Sequence, residues 1–193
     1  MGLAEGRLSA KVRSRENART APARPNRRRP RARSVTLSAR ALTSAAMRRK
    51  GNPVVFVMTL HRRDALDSAP PPIGRRNKPI PEGEDYLVEG SWGPQLVEGL
   101  DRREGDLIVT KKGRSGFGFT PLHRVLRNLG VDHCIVTGGA VHGCVEDTVR
   151  EGAGLGYRLT LVSDALYRPN SPQIAVMADY AEIKKTEEAL AEI

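Results

Sequence analysis

The sequence predicts a three-layer α/β fold with a mostly parallel sheet. From residue 53 onward, short runs rich in β-branched residues alternate with amphipathic segments of helical period. The runs are apolar at successive positions, which is typical of parallel strands buried on both faces. They are PVVFVM (53–58), DLIVTK (106–111), HCIVTG (133–138) and YRLTLVSD (157–164). Because ligands of such sheets bind beyond the carboxyl ends of the strands, we expect the functional residues at that edge.

Helices are predicted between and after these strands. One begins at Thr120, a capping residue followed by proline, and ends at Gly130. Another begins at Cys144 and ends at Gly156. Their expected buried positions follow a helical period: Leu122, Val125, Leu126 and Leu129 in the first, and Val145, Thr148, Val149 and Leu155 in the second. An amphipathic segment over residues 180–193 is expected to pack against an edge of the fold.

The positive charge of the chain is concentrated in its first quarter. Residues 1–50 contain fifteen Lys or Arg and two acidic residues, whereas residues 51–193 carry a net charge of −3. We therefore divide the chain into a basic, largely disordered extension (1–50), in which a helix can begin near residue 35, and a domain (51–193). The extension is compatible with a basic arm, an organelle presequence, a plain disordered tail or a reading-frame error. We expect no tight nucleic-acid binding, and the absence of aromatic residues among the arginines disfavours stacking on single strands in particular.

Composition excludes several classes of protein. Two cysteines cannot form a disulfide framework, and no Cys/His cluster has zinc spacing, so we expect no metal and no cofactor. No apolar stretch approaches the roughly 20 residues of a membrane span. A cytoplasmic location is the expectation, because free cysteines are typical of reducing compartments.

Cys144 is the main candidate for chemistry. It follows the apolar run at 133–138 and a pair of glycines, and it stands where a helical pattern begins. Unpaired N–H groups at a helix N-terminus favour a thiolate over a thiol. The alternative is a small buried hydrophobe, which is the usual role of a lone cysteine. Cys134, inside the apolar run, is expected to be an inert core thiol.

Three stretches of the domain form a recognisable pattern: VEGSWGPQLVEGL, DLIVTKKGRSGFGFTPLHRVLRNLGVDHCIVTGG and AVHGCVEDTVREGAGLGYRLTLVSDA. Together they resemble the isochorismatase-like cysteine hydrolases, which include nicotinamidases and carbamoylsarcosine and ureidoacrylate amidohydrolases. The resemblance implies that Cys144 is the nucleophile and that Lys111, six residues before Phe117, stabilises its thiolate. It also implies an oxyanion hole formed by the N–H groups of Ala140 and Cys144, with a cis bond between Gly139 and Ala140. Phe117 is expected either in a pocket wall or in the core.

The function implied by the resemblance is hydrolysis of a small linear amide, ureido or carbamoyl compound through a thioester. The partner is then a small-molecule substrate, and we expect a homo-oligomer. Two alternatives stay open: a scaffold of the same family without turnover, and an isochorismate-type hydrolase. The second is less favoured, because those members lack the nucleophilic cysteine.

One element of the family pattern is absent. The resemblance calls for an aspartate at the end of a first apolar strand, but the first aspartate in this chain is Asp64. Glu5 and Glu16 are the only acidic residues before it, and neither follows an apolar strand. We therefore expect the first strand to be missing or altered, the flanks of its neighbours to be exposed and catalysis to be impaired. Asp64, just beyond the 53–58 strand, is a weak alternative base.

Overall fold

The computed structural model describes residues 31–68, 79–80, 83, 87–91 and 99–193. The predicted disorder of residues 1–30 lies outside these ranges. Within them, the strands are β1 (Val55–Thr59), β2 (Leu107–Lys111), β3 (His133–Gly138), β4 (Arg158–Leu166) and β5 (Glu182–Lys184). The helices are α1 (Arg31–Arg49), α2 (Leu122–Asn128), α3 (Glu146–Gly154), α4 (Gln173–Val176) and α5 (Thr186–Ala191).

All described strand pairs are parallel. β1 pairs with β2, with Val57 opposite Val109, and β4 pairs with β3 on one side and β5 on the other. The described strands therefore form a two-stranded and a three-stranded sheet. The predicted α/β class with a parallel sheet is confirmed.

The helix α1 packs on the three-stranded sheet. Ala39 lies in a small core with Val162 and Ala165, and the Arg40 Nε donates a 2.8 Å hydrogen bond to the Ala165 carbonyl oxygen. At the other end of the helix, Arg48 forms a hydrogen-bonded ion pair with Asp106, just before β2. The helix α1 thus packs on the rest of the fold although it precedes the division that we predict at residue 50, and that division stays a prediction.

The larger core covers the other face of the sheets. It includes Val109 of β2, Leu126 of α2, Val149 of α3 and Leu161 of β4. The prediction that Leu129 and Leu155 are buried is wrong, because they are 49% and 42% exposed. Each is the C-cap residue of its helix, where the chain turns away from the core face.

The carboxyl-terminal segment contains a strand that the amphipathic pattern did not predict. β5 adds to the free side of β4, and α5 follows it. The carboxylate of Asp164 accepts hydrogen bonds from the backbone N–H and the hydroxyl of Thr186, at 2.9 and 2.8 Å, which ties α5 to β4. No helix in the described part of the chain is long and apolar enough to cross a membrane.

Candidate active site

The carboxyl ends of β2 and β3 bring the two principal candidates together. Lys111 is the last residue of β2, and its side chain is buried, with a relative exposure of 4%. Its Nζ lies 3.2 Å from the Sγ of Cys144 and donates a 2.7 Å hydrogen bond to the carbonyl oxygen of Gly113. A cation and a thiol from distant parts of the sequence therefore meet in a largely buried position.

A tight turn carries the chain from β3 to Cys144. The bond between Gly139 and Ala140 is cis, as predicted. A Cβ atom on Gly139 would lie 2.6 Å from the Cβ of Tyr167, so the turn approaches β4 too closely for any larger residue. The N–H of Tyr167 donates a 2.7 Å hydrogen bond to the carbonyl oxygen of Gly138, which fixes the start of the turn against β4.

Cys144 lies in a π-helical turn, Val141–Val145, that leads directly into α3. The N–H of Val145 donates a 3.0 Å hydrogen bond to the carbonyl oxygen of Ala140. The helical structure thus begins at Val141, three residues before the predicted start at Cys144. Cys144 therefore lies in the first turn of this helical segment. Such a position places the sulfur near the positive end of the helix dipole.

Two side-chain links fasten the loop after β2 to this turn. The hydroxyl of Thr148 donates a 2.5 Å hydrogen bond to the Cys144 carbonyl oxygen and accepts one from the Gly116 N–H at 2.7 Å. The guanidinium of Arg114 pairs with Asp147 at 2.9 Å and donates to the His142 carbonyl oxygen at 3.2 Å.

Sequence reasoning missed both of these links. The helical period predicts only that Thr148 lies on the buried face of its helix. Its position four residues after Cys144 was the available signal, because a helical Ser or Thr can donate to the carbonyl four residues earlier. No local pattern predicts the pairing of Arg114 with Asp147, which depends on the tertiary fold.

Phe117 belongs to the core and not to a pocket wall. Its ring is 6% exposed and stacks on Tyr157 with centroids 5.5 Å apart. It also lies against the backbone of Gly152, where an added Cβ would approach the ring to 2.9 Å. This packing holds the loop after β2 against α3.

Cys134 has a different environment from Cys144. It packs against the larger core from within β3. Burial raises the pKa of the Cys134 thiol to about 11, because a thiolate would be poorly solvated there. Both cysteines are free thiols.

Asp64 does not join the Lys111–Cys144 pair. Its carboxylate is bound by Arg62 at 2.6 Å and by the backbone N–H of Leu66, and these contacts lower the pKa of Asp64 to about 2. An acid of that strength is a poor proton acceptor near neutral pH. Among the described residues, no carboxylate hydrogen-bonds to Lys111 or to Cys144. Glu5 and Glu16 lie outside the described part of the chain.

A surface depression lies beyond the carboxyl end of β1. Its volume is about 560 Å³, and it is lined by Arg62, Arg63, Asp64, Pro79, Glu89 and Gly90. Nearby, the Nδ1 of His61 lies 3.3 Å from the hydroxyl oxygen of Ser68. Across the ranges that the structure describes, no group of three His, Cys, Asp or Glu side chains could hold a metal ion.

Known proteins are similar to this chain in sequence and in fold. The family model of the isochorismatase domain matches residues 17–188. Ureidoacrylate amidohydrolases RutB of Klebsiella pneumoniae (strain 342) and Klebsiella variicola (strain At-22) are each 40% identical over 108 residues, covering 56% of this chain. The match spans 43% of the length of those relatives.

Solved structures have the same fold. An isochorismatase family protein from Desulfovibrio vulgaris subsp. vulgaris str. Hildenborough is 27% identical with a TM-score of 0.72, over 81% of this chain and 84% of that one. N-carbamoylsarcosine amidase from Thermoplasma acidophilum is 24% identical with a TM-score of 0.66, over 84% and 89% of the two chains, and shows likeness of fold. The family model matches most of the chain, and the fold agrees with it. This chain therefore belongs to the isochorismatase family.

Proposed function

We propose that this chain is a thiol hydrolase of a small linear amide, ureido or carbamoyl compound. The observation that carries the proposal is the 3.2 Å contact between the Lys111 ammonium and the Cys144 sulfur. The nucleophile in this proposal is the Cys144 thiolate, and the Lys111 ammonium at that distance is its counterion. The 40% identity to the RutB ureidoacrylate amidohydrolases supports this substrate class.

In the proposed reaction, the Cys144 sulfur attacks the carbonyl carbon of the substrate. A C–S bond forms, and the carbonyl electron pair moves to oxygen, where the N–H groups of Ala140 and Cys144 stabilise the charge. Two such donors are typically worth about 3 kcal/mol or more of transition-state stabilisation. Collapse of this intermediate breaks the C–N bond, and the amine leaves with a proton. Water then attacks the thioester, the C–S bond breaks and the thiolate returns.

No acid–base group is assigned to the proton-transfer steps of this reaction. The thiol proton must be removed and a proton delivered to the leaving amine, and a positioned acid–base group typically contributes 10²–10⁴-fold. No described carboxylate contacts Lys111 or Cys144, so we propose that hydrolysis is impaired in this chain. The same observation favours the second candidate, a family scaffold without turnover. The Lys111–Cys144 contact gives no support to an isochorismate-type hydrolase.

The test uses the purified chain with ureidoacrylate, N-carbamoylsarcosine and nicotinamide. Ammonia release and the intact mass of the protein would be measured for the parent chain, Cys144→Ala and the control Cys134→Ala. We expect slow ammonia release and an acyl adduct in the parent and in Cys134→Ala, and neither in Cys144→Ala. Absence of both signals in the parent chain would favour the scaffold. Homo-oligomerisation and a cytoplasmic location stay predictions.

A further inference from the structure

The sulfur of Cys144 has one side-chain hydrogen-bond partner among the described residues, the amino group of Lys111. The Lys111 Nζ lies 3.2 Å from the Cys144 Sγ and also donates a hydrogen bond of 2.7 Å to the Gly113 carbonyl oxygen. Lys111 is the last residue of β2, whereas Cys144 lies in the helical turn after β3. Two elements of the fold therefore hold together a nitrogen and a sulfur that could form a covalent bond.

The two partners differ in their access to solvent. Cys144 is partly exposed, whereas Lys111 is only 4% exposed. A small uncharged oxidant such as hydrogen peroxide can therefore reach the sulfur, while the amine stays shielded beside it. Peroxide oxidises a thiolate to a sulfenic acid, and exposure of the sulfur increases its susceptibility. A sulfenic acid at Cys144 would thus form in contact with a primary amine.

The second cysteine of the chain is too distant to react with that sulfenic acid. Cys134 is the second residue of β3, and at about 3.3 Å per residue it lies about 13 Å from Gly138 at the carboxyl end of the strand. α3 connects β3 to the parallel strand β4, so Cys144, just before α3, lies at that carboxyl end. A disulfide requires two Cα atoms within about 7 Å. The folded chain therefore has no thiol that could form a disulfide with Cys144.

Two other nitrogen groups near Cys144 are already engaged. A sulfenic acid can condense with a neighbouring backbone nitrogen, but the Val145 N–H donates a 3.0 Å hydrogen bond to the Ala140 carbonyl oxygen. The guanidinium of Arg114 pairs with Asp147 at 2.9 Å. Amide and guanidinium nitrogens are also weak nucleophiles, because their electron pairs are delocalised. The amine of Lys111 is therefore the favoured acceptor of the oxidised sulfur.

We propose that Lys111 and Cys144 form a redox-sensitive modification site, at which hydrogen peroxide produces a sulfenamide crosslink between the Cys144 Sγ and the Lys111 Nζ. The thiolate attacks one peroxide oxygen, the O–O bond breaks, and hydroxide leaves a sulfenic acid. This hydroxide takes a proton from the ammonium. The free amine then attacks the sulfur, the S–O bond breaks, and the leaving hydroxide takes the second proton. One thiolate, one ammonium and one peroxide thus give one sulfenamide and two waters, with the sulfur oxidised by two electrons.

The crosslink protects Cys144 from irreversible oxidation. Well-oriented groups in contact have effective concentrations of about 10⁵ M or more, which favours the amine over a second peroxide. An added thiol can attack the sulfenamide sulfur, break the S–N bond and, through a mixed disulfide, restore Cys144, whereas a sulfinic acid is not reduced in this way. The inference rests on the 3.2 Å contact and not on the proposed hydrolysis.

The first test uses the full 193-residue chain and its Cys134→Ala variant, each treated with hydrogen peroxide. We expect the intact mass of both to fall by about 2 Da and to return to its original value with dithiothreitol. A disulfide between the two cysteines would give the same mass change, but Cys134→Ala cannot form one. Tryptic mapping should join peptide 104–112 to peptide 128–150 through Lys111 and Cys144.

The second test separates the amine of Lys111 from its charge. Lys111→Arg keeps a cation but removes the nucleophilic amine, so peroxide should convert Cys144 to the sulfinic acid, a gain of about 32 Da. After peroxide and then dithiothreitol, we expect iodoacetamide labelling of Cys144 to be at least tenfold lower in Lys111→Arg than in the parent chain. Lys112→Arg is the matched control, because Lys112 pairs with Asp67 at 2.7 Å and should leave the crosslink unchanged.

Peptide mapping of the parent chain decides the question even if Lys111→Arg does not fold. A Cys144 that stays unmodified, that gains only oxygen, or that bonds to a nitrogen other than Lys111 Nζ would overturn the proposal. Loss of the mass change in Cys134→Ala would also overturn it. A crosslink in a chain that releases no ammonia would leave the proposal intact and count only against the proposed function. Hydrolysis without a crosslink would count only against the modification site.

Discussion

The Nζ of Lys111 lies 3.2 Å from the Sγ of Cys144 and donates a 2.7 Å hydrogen bond to the carbonyl oxygen of Gly113. Lys111 is buried, so the ammonium contacts the sulfur in a position that is largely shielded from solvent. This contact distinguishes the two cysteines of the chain, because Cys134 lies within β3 and no described lysine or arginine hydrogen-bonds to its sulfur. It therefore leads directly to measurable differences in thiol reactivity.

Cys144 should react faster than Cys134 with iodoacetamide. Burial raises the pKa of Cys134 to about 11, so almost none of it is thiolate at neutral pH, whereas Cys144 has an adjacent ammonium. We expect at least tenfold faster labelling of Cys144 in the folded protein, measured by peptide mass spectrometry over time. Equal rates after denaturation are the control. Preferential labelling of Cys134 in the folded state would contradict the assignment of the nucleophile.

Removing the ammonium should slow that reaction. Lys111→Met preserves the length and apolar stem of the side chain but removes the charge, so we expect iodoacetamide labelling of Cys144 at pH 7 to fall about tenfold. Lys112→Met is the matched control, since Lys112 pairs with Asp67 at 2.7 Å and does not contact the sulfur. An equal loss in both variants would show that general positive charge, and not the Lys111 contact, controls reactivity.

Much of the fold could be predicted from local patterns. β3 has the predicted bounds, because a β-branched run ended by glycine marks both its type and its limits. β5 was missed because it has only three residues, two of them charged, and becomes a strand by pairing with β4. Leu129 and Leu155 fit the helical period but extend past the point where each helix ends.

Only the parts of the candidate site that belong to a recognisable sequence motif could be predicted. Cys144, Lys111 and the cis bond before Ala140 follow from the family resemblance, and the structure brings the cysteine and the lysine into contact. The Gly116–Thr148 and Arg114–Asp147 links were not predictable, because they join segments that only the tertiary fold brings together, whereas the bond from Thr148 to the Cys144 carbonyl had a local signal. The catalytic roles of these residues stay predictions.

Two glycines in α3 should respond oppositely to alanine. A Cβ at Gly152 would lie 2.9 Å from the Phe117 ring, whereas one at Gly154 would have no atom within 4 Å. We expect Gly152→Ala to lower the free energy of unfolding by about 1–3 kcal/mol through overpacking. Gly154→Ala should be neutral or raise it by up to about 1 kcal/mol, because alanine loses less backbone entropy in a helix. Urea denaturation would measure both, and equal stability of the two variants would contradict the packing described around Phe117.

The Arg48–Asp106 ion pair should make stability depend on pH. The hydrogen bonds from Arg48 lower the pKa of Asp106 below its ordinary value of 3.8. The pair therefore stabilises the fold above that pH, and its contribution is lost as the pH falls through the lower folded-state pKa. Arg48→Met should cost about 1 kcal/mol or more at pH 7 and progressively less as the pH falls below 3.8, measured by urea denaturation over that range. Arg49→Met, at an exposed neighbouring position, should have little effect at either pH.

Catalysis by the unmodified chain is expected to be weak. Cys144 has a cation that stabilises its charged form, but no described carboxylate is placed to accept its proton or to protonate the leaving amine. Loss of such a group typically costs 10²–10⁴-fold in rate, so ammonia release from amide or ureido substrates should be near the detection limit. Asp64→Asn should leave that residual rate unchanged, because Arg62 engages Asp64 and lowers its pKa to about 2. Robust, Cys144-dependent release by the parent chain would show that a base is present, and a loss of that activity in Asp64→Asn would identify it.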